Sequence, residues 1–550
     1  MDRLTTIKQT ITFDGSASPV KTWLFAIVCI AWIVPGLIGH DPWKTDEALA
    51  FGIVYTMLRD GDGLVPVFAG HAYPPLYYWS AALFAKLFAW ALPLHDGARL
   101  ASGFYMAITL AFTAMTARRL IDERAGRICV LLLIGCLGLL LRAHEINPEL
   151  AGLAGMSIAL FGMTRVRSDA WRGGMLIGLG AMLNALALGA ASAFIVIASM
   201  AWAGVWMREW NNRIFVRGMV IATCIALAAA ALWPLLLLSQ RNLPNDMWLD
   251  AALGWSAAYP TQGFEPFYFL RILIWYALPA WPIAAWVWWK GRRTLRERIE
   301  TAVPFAGFLA MLVLIICLKP SRDASAMILL LPLCLAAAQG LDRVSRSLAS
   351  FLDWFGLIFF GWLALMLWTG WTAAQTSLPR GAARWVSRQV PGYEPVFAGW
   401  IFALALVLTL IWLFAVLRTR RSNRRAIVNW SAGMTLVWML TNLLWLPAID
   451  HARSYRSVAA AIRLALPLDT TCIGEIGLGD AQQISLDYFG NLRFSRARSA
   501  QKVSCNMLLV QGMKDNAPEI ASNWSLLWEG ARPGDNVERF WLYRNLSTTH

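Results

Sequence analysis

The chain has 550 residues, of which 58% are hydrophobic and 15% charged, with a mean hydropathy of +0.52. A soluble protein of this length needs more polar residue than that to cover its surface, so a soluble globular enzyme is excluded. The net charge of +15 would suit a nucleic-acid binder, but the Lys and Arg residues lie in short segments between apolar runs, as in the orienting loops of a membrane protein; no nucleic acid is expected as a partner.

The N-terminal MDRLTTIKQTITFDGSASPVK is polar, and no small-residue cleavage site follows the apolar run at 22–39, which therefore reads as a retained first span. The next stretch, HDPWKTDEALAFGIVYTMLRDGDGLVPVFAGHAYPPLYYW at 40–79, crowds Asp41, Asp46, Glu47, Asp60, His40 and His71 beside that span. Within it DEALAFGIVYTML reads as a helix with Thr45 at the cap position, and the macrodipole favours acids in a first turn. That accounts for Glu47 as well as a chemical role does. A carboxylate at the bilayer edge is also placed to serve as a general base.

The run LYYWSAALFAKLFAWALPL at 76–94 carries Lys86 in its middle and aromatics and prolines at its ends, as an interfacial helix does. Further apolar runs of spanning length lie at 98–117, 127–143, 150–164, 173–189, 190–207, 218–239, 269–289, 302–318, 325–341, 354–372, 396–417 and 427–447. If 76–94 lies along the surface, every basic cluster falls on one side, from Arg118 and Arg119 through Arg165 and Arg172, Arg292 and Arg293, to Arg418 and Arg425. If it spans, all of them move to the other side. The orientation rule therefore favours about thirteen spans with a cytoplasmic N-terminus. The external loops are then 40–75, 144–149, 240–268, 319–324 and 373–395, and residues 448–550 share their side.

Those external loops hold the unusual polar residues. RAHEINPEL places His144, Glu145, Asn147 and Glu149 at one corner; loop solvation explains each alone, while together they point to a cavity. LKPSRDAS places Lys319 and Arg322 against the orientation bias, which either snorkelling to headgroups or binding of a lipid phosphate would explain. Tyr259 and Glu265 lie in an aromatic-rich loop that also fits an interfacial belt. No cysteine and histidine spacing suits zinc, and there is no phosphate-binding glycine loop or nucleophile elbow. No cofactor is required by any motif, and the carboxylates leave a divalent metal open.

After residue 447 the pattern changes. ARSYRSVAAAIRLALP reads as an amphipathic helix, followed by strand-like runs TCIGEIGL, NMLLVQG, SLLWEG and ERFWLYR. This predicts a transmembrane domain at 1–447, with its external loop at 40–95, and a small α/β domain at 448–550. Cys472 and Cys505 both lie in the second domain, either as a disulfide permitted by an oxidising compartment or as buried thiols.

TDEALAFGIVYTMLRDGDGLVPVFAG followed by YPPLYYW resembles the first external loop of the GT-C membrane glycosyltransferases, in particular the bacterial aminoarabinose transferase and protein O-mannosyltransferase-like group. ARLASGFYMAITLAFTAMTARRLIDERAGRICVLLL, HEINPELAG, EPFYFLRILIWYALPAWP and KPSRDASAMILLLPL resemble later landmarks of that family, so the likeness covers most of the membrane region. It implies an all-α polytopic membrane protein of the GT-C fold with external juxtamembrane helices and a C-terminal α/β periplasmic domain, in a bacterial inner membrane.

The resemblance implies a sugar donor carried on undecaprenyl phosphate and an acceptor that is a glycan, glycolipid or protein. Asp46 would be the catalytic base, with Glu47, His144, Asn147 and Glu149 as acid/base or acceptor-binding candidates. Arg322 and Lys319 would hold the donor phosphate, and His71, Tyr73, Tyr77, Tyr259 and Glu265 would line the site. Two departures stand out. The Glu-Lys that precedes the double proline in the family is replaced around His71, Ala72 and Tyr73, and a lysine of a later motif is missing near 186–192. Both speak against an aminoarabinose donor and a lipid A acceptor. A transporter or flippase of a lipid-linked sugar would instead require charges deep within several spans, and a non-catalytic scaffold would leave Asp46 inert.

Overall fold

The computed structural model describes residues 19–61, 63–68, 71–207, 212–238, 265–319, 322–341, 346–418, 423–468, 470–496, 505–514 and 523–546. After α1 (Pro19–Ile33) the chain turns through Gly36 and Gly39, both at positive φ, into α2 (Thr45–Asp60), which ends at Gly61 in the left-handed conformation. That ending is the common glycine cap, which lets the chain leave the helix without a Cβ clash. A two-stranded hairpin, β1 (Val67–Phe68) with β2 (His71–Ala72), leads to α3 (Leu76–Leu87). At about 1.5 Å per residue α3 is about 18 Å long, too short to cross a bilayer core of about 30 Å.

The helices that follow are α4 (Leu94–Leu120), α5 (Glu123–Ile134), α6 (Leu137–Arg142), α7 (Glu149–Val166), α8 (Ala170–Leu188), α9 (Ala190–Trp206) and α10 (Arg213–Leu238). Asp122 and Asp169 accept backbone N–H bonds at the starts of α5 and α8, so the short loops on that side are closed by N-caps. Beyond residue 264 come α11 (Tyr268–Tyr276), α12 (Ala280–Lys290), α13 (Ile299–Leu318), α14 (Met327–Gly340), α15 (Arg346–Thr376), α16 (Arg380–Gln389), α17 (Gly399–Arg418) and α18 (Asn423–Leu440). A π-turn at Thr441–Trp445 joins α18 to α19 (Leu446–Arg453).

Among the described residues seven helices are long and apolar enough to cross a membrane, or eight if α11 and α12 count as one span bent by 108°. Each of the thirteen apolar runs read from the sequence still falls on a helix or a broken helix pair. The shortfall of five arises because α1, α9 and α14 are shorter helices, the run at 127–143 breaks between α5 and α6, and α7, with Glu149 in its first turn and Arg165 in its last, is not among the helices long and apolar enough. One continuous apolar core runs through this bundle.

The C-terminal region has α20 (Arg456–Ala465), β3 (Ile473–Ile476), α21 (Asp480–Gly490), β4 (Phe494–Arg496), β5 (Met507–Met513), β6 (Trp524–Gly530) and β7 (Glu538–Asn545). Its five strands are ordered β4-β3-β5-β7-β6, parallel about β3 and antiparallel about β7. A separate core of Val458, Ile462, Ile473, Leu486, Leu509 and Leu542 fills the space between sheet and helices. Cys472 and Cys505, just ahead of β3 and β5, are joined as a disulfide.

This α/β unit packs on α2. A Cβ on Gly52 would come within 2.1 Å of the Ile484 side chain, so only glycine allows α21 to approach this closely. The Tyr488 ring meets Phe51 at 4.8 Å and Tyr55 at 5.2 Å, and Arg59 pairs with Asp487. The helix that carries Asp46 is therefore held between the membrane bundle and the C-terminal unit.

Candidate active site

Four short segments meet at the N-terminal end of α2. They are the residues before and at its first turn, the end of α6 with the corner 143–148, the start of α7, and Lys319, Arg322 and Asp323 between α13 and α14. Asp46 Oδ2 accepts a hydrogen bond from Arg322 Nη2 at 2.8 Å and a longer one from Arg142 Nη1 at 3.4 Å. Both contacts converge on Oδ2, and among the described residues Oδ1 has no hydrogen-bond partner. The Asp46 side chain is 34% exposed, open enough to meet a ligand.

Arg142 is the hub. Its Nε and Nη2 donate to Asp323 at 3.0 and 2.8 Å, a bidentate pair, and its Nη1 also donates to Glu145 at 3.0 Å. Glu145 takes a second cation, Lys44, while Lys319 faces Glu149 at 3.8 Å. Four carboxylates thus face four cations, and the cluster is close to neutral. Burial pushes the Glu145 carboxyl up, against the pull of Lys44 and Arg142.

Behind this layer lies a dry one. Glu47 is 1% exposed and its Oε1 accepts from Arg99 Nε at 2.7 Å and from the Ile146 amide at 3.3 Å. Arg99 also donates to Asp96 at 2.8 Å and to the carbonyls of Leu37 and His40. Burial pushes the Glu47 carboxyl up, but Arg99, helped by His40 and Lys44, outweighs it and holds the group below its ordinary value. Glu47 therefore fixes the first turn of α2 to the 143–148 corner, and its neighbour Asp46 is the one that faces outward.

The other sequence candidates divide clearly. Asn147 serves the scaffold, since its amide donates to Tyr77 Oη at 2.9 Å and its Oδ1 accepts from the Glu149 amide at 3.1 Å. Tyr77, expected to line the site, has no exposed surface; its hydroxyl bonds Ser102 at 2.6 Å and packs into the bundle. His144 likewise differs from expectation. Both ring nitrogens face carbonyls, of Leu140 at 2.7 Å and Trp32 at 2.8 Å, between the Trp32 and Trp438 rings. Burial lowers its basicity, and the buried ring packs within the bundle where a place on the open site was expected.

Tyr73 is buried against Tyr78, and His71 sits in the β1–β2 hairpin with no hydrogen bond to the cluster among the described residues. Glu265 pairs with Arg271 at 3.0 Å on the exposed start of α11. Tyr259 lies outside the described residues. The sequence reading missed Arg142, Lys44, Asp323 and Arg99. Arg142 carried a usable signal, because it ends an apolar run on the side that otherwise lacks basic clusters.

Among the described residues no group of three or more His, Cys, Asp or Glu is arranged to hold a metal ion. The carboxylates around Asp46 are instead each matched by an arginine or lysine.

No family model matches the chain, and no curated protein sequence matches it. Solved structures do. ArnT from Cupriavidus metallidurans bound to undecaprenyl phosphate superposes with a TM-score of 0.64 at 17% identity, over 96% of this chain and 98% of that one. The same protein in its apo state gives 0.65 at 19% identity over the same shares. The likeness runs nearly the full length of both chains. The chain has the GT-C fold. That fold is a bundle of helices, seven of the described ones long and apolar enough to cross a membrane, with a small C-terminal α/β unit. In this frame the polar cluster sits at one end of the bundle, beside α2 and α3.

Proposed function

We propose that the chain is an integral-membrane inverting glycosyltransferase that moves a sugar from undecaprenyl phosphate to an acceptor hydroxyl. The observation that carries this reading is Asp46, a partly exposed carboxylate with one oxygen bound to two arginines and the other open. ArnT, the structural neighbour, was solved with undecaprenyl phosphate bound, which supports a polyprenyl-phosphate donor here.

In this reading Asp46 Oδ1 accepts the proton of the acceptor hydroxyl. The acceptor oxygen forms a bond to the anomeric carbon from the face opposite the leaving group. The bond from that carbon to the phosphate oxygen breaks, and its electron pair leaves on the phosphate. Arg322 and Arg142 stand where they would receive that charge. Lys319, which faces Glu149, would lie at the rim. Because the cluster is balanced, an arriving phosphate draws at least one arginine from Asp46, freeing the base only when donor is present.

Placing the basic clusters in the cytoplasm puts Asp46 and the C-terminal unit on the periplasmic side of a bacterial inner membrane. The acceptor is then a glycan, a glycolipid or a protein of that compartment. Collection of the buried ionisable groups at one end of the bundle favours transfer over transport.

The test is release of undecaprenyl phosphate from undecaprenyl-phosphate-linked hexoses and pentoses by the protein in proteoliposomes, with periplasmic extract as acceptor. At least one donor should turn over in wild type, and Asp46→Asn should lower that rate by about 10³-fold or more while remaining folded. Full turnover by Asp46→Asn, or none by wild type across the donor panel, refutes the assignment.

A further inference from the structure

Far from Asp46, the face that carries the basic clusters has its own built feature. Arg99 and Arg119 lie on the same helix, α4, some twenty residues apart, which is about 30 Å along its axis. Around Arg119 the ends of α4, α7, α8 and α10 enclose two adjoining hollows. The larger, about 570 Å³, is walled by Phe161, Met175, Leu176, Leu179 and Ile225, with Arg165 and Arg172 at its edge. The smaller, about 300 Å³, shares Phe161 and Arg165 and adds Arg118, Arg119 and Glu123.

The two halves have different chemistry. The apolar wall continues onto exposed Met175 and Leu179, so this half opens on the outer surface of the bundle. The polar half holds four guanidinium groups against two carboxylates, Glu123 on Arg118 at 3.1 Å and Asp169 on Arg172 at 3.4 Å. Arg119 is braced on the Thr164 carbonyl and the Ser168 hydroxyl, and Arg165 lies over the Phe161 ring at 5.3 Å. Neither has a carboxylate partner among the described residues. The excess is positive, and it sits where a headgroup phosphate would lie if an acyl chain filled the groove.

We infer that this groove binds one anionic glycerophospholipid, its acyl chain between α7, α8 and α10 and its phosphate on Arg119 and Arg165. Guanidinium groups match phosphate oxygens in pairs, and basic pockets between spanning helices select anionic over zwitterionic headgroups. The site is separate from Asp46 and does not depend on the reaction proposed there.

The test uses the full chain purified in detergent, mixed with dioleoylphosphatidylglycerol or dioleoylphosphatidylcholine, with retained lipid counted by native mass spectrometry. Wild type should retain one phosphatidylglycerol beyond any phosphatidylcholine. Arg119→Gln/Arg165→Gln should reduce that retention by about tenfold or more. Leu179→Trp, which fills the apolar half and leaves every arginine in place, should reduce it as well. Thermal unfolding of the same preparations, unchanged from wild type, reports folding. Equal retention of the two lipids, displacement by inorganic phosphate alone, selection of undecaprenyl phosphate instead, or undiminished retention in Leu179→Trp would each overturn the inference.

Discussion

Arg322 Nη2 donates to Asp46 Oδ2 at 2.8 Å, so the residue that suits a donor phosphate is already engaged by the residue that suits a base. The two roles are linked by this contact. A phosphate that takes Arg322 leaves Asp46 held only by the longer bond from Arg142 at 3.4 Å. Arg322→Ala should therefore raise the KM for donor and lower kcat/KM by about 10- to 100-fold, with Arg322→Lys recovering part of the loss. Donor titrations in proteoliposomes report this directly. An unchanged donor KM in Arg322→Ala would remove it from the phosphate site.

The layer beneath is structural, and its failure should look different. Arg99 has no exposed side-chain surface and neutralises both Glu47 and Asp96. Arg99→Ala leaves two buried carboxylates unpaired and should cost about 3–5 kcal/mol of stability. Glu47→Gln keeps an acceptor for Arg99 and for the Ile146 amide, and should cost only about 1–2 kcal/mol. Thermal unfolding in detergent separates the two variants. Glu47→Gln should also retain far more activity than Asp46→Asn, since it holds the helix and does not meet substrate.

How much of this was legible in the sequence follows from what each residue answers to. Asp46 was readable because the motif around it lies within one short stretch. Arg99 was not, since it opens a long apolar helix and its partner Glu47 lies 52 residues away. His144 and Tyr77 look like site residues in a polar corner; only packing shows that their polar atoms are spent on Trp32, Leu140, Ser102 and Asn147. Periodicity made 269–289 a single span, whereas the chain bends there by 108° near Pro279. That proline was the available warning. In the C-terminal unit the longer strands carried their pattern, while α21 and the three-residue β4 were too short and polar to register.

The disulfide makes a separate prediction for that unit. Cys472 and Cys505 close a loop of 33 residues that contains β3, α21 and β4. Cys472→Ser/Cys505→Ser should destabilise it by about 2–4 kcal/mol through added freedom of the unfolded chain. The unit's own unfolding transition, or its susceptibility to protease, should shift while the membrane bundle stays intact. No shift would mean that α2 and the sheet hold the loop without the covalent link.

The junction between loop and C-terminal unit should depend on acid. Asp41 accepts from Arg456 at 2.6 and 3.0 Å and from Ser454 at 2.6 Å, and its amide donates to Asp450 at 2.8 Å; His95 faces it at 3.6 Å. Burial alone would raise its carboxyl, but the bonds from Arg456 and Ser454 outweigh burial and hold it below its ordinary value of 3.8. A value depressed by folding stabilises fully above the ordinary value and is lost as pH falls through the folded one. Arg456→Ala should therefore lower the unfolding midpoint of the C-terminal unit near neutral pH, by about 1–3 kcal/mol of stability. The gap between variant and wild type should close as pH drops below about 3.8. Melts monitored by protease sensitivity across that range would show it, and a gap that persists at low pH would mean that Arg456 stabilises by stacking on Phe489, 4.5 Å away, and not through Asp41.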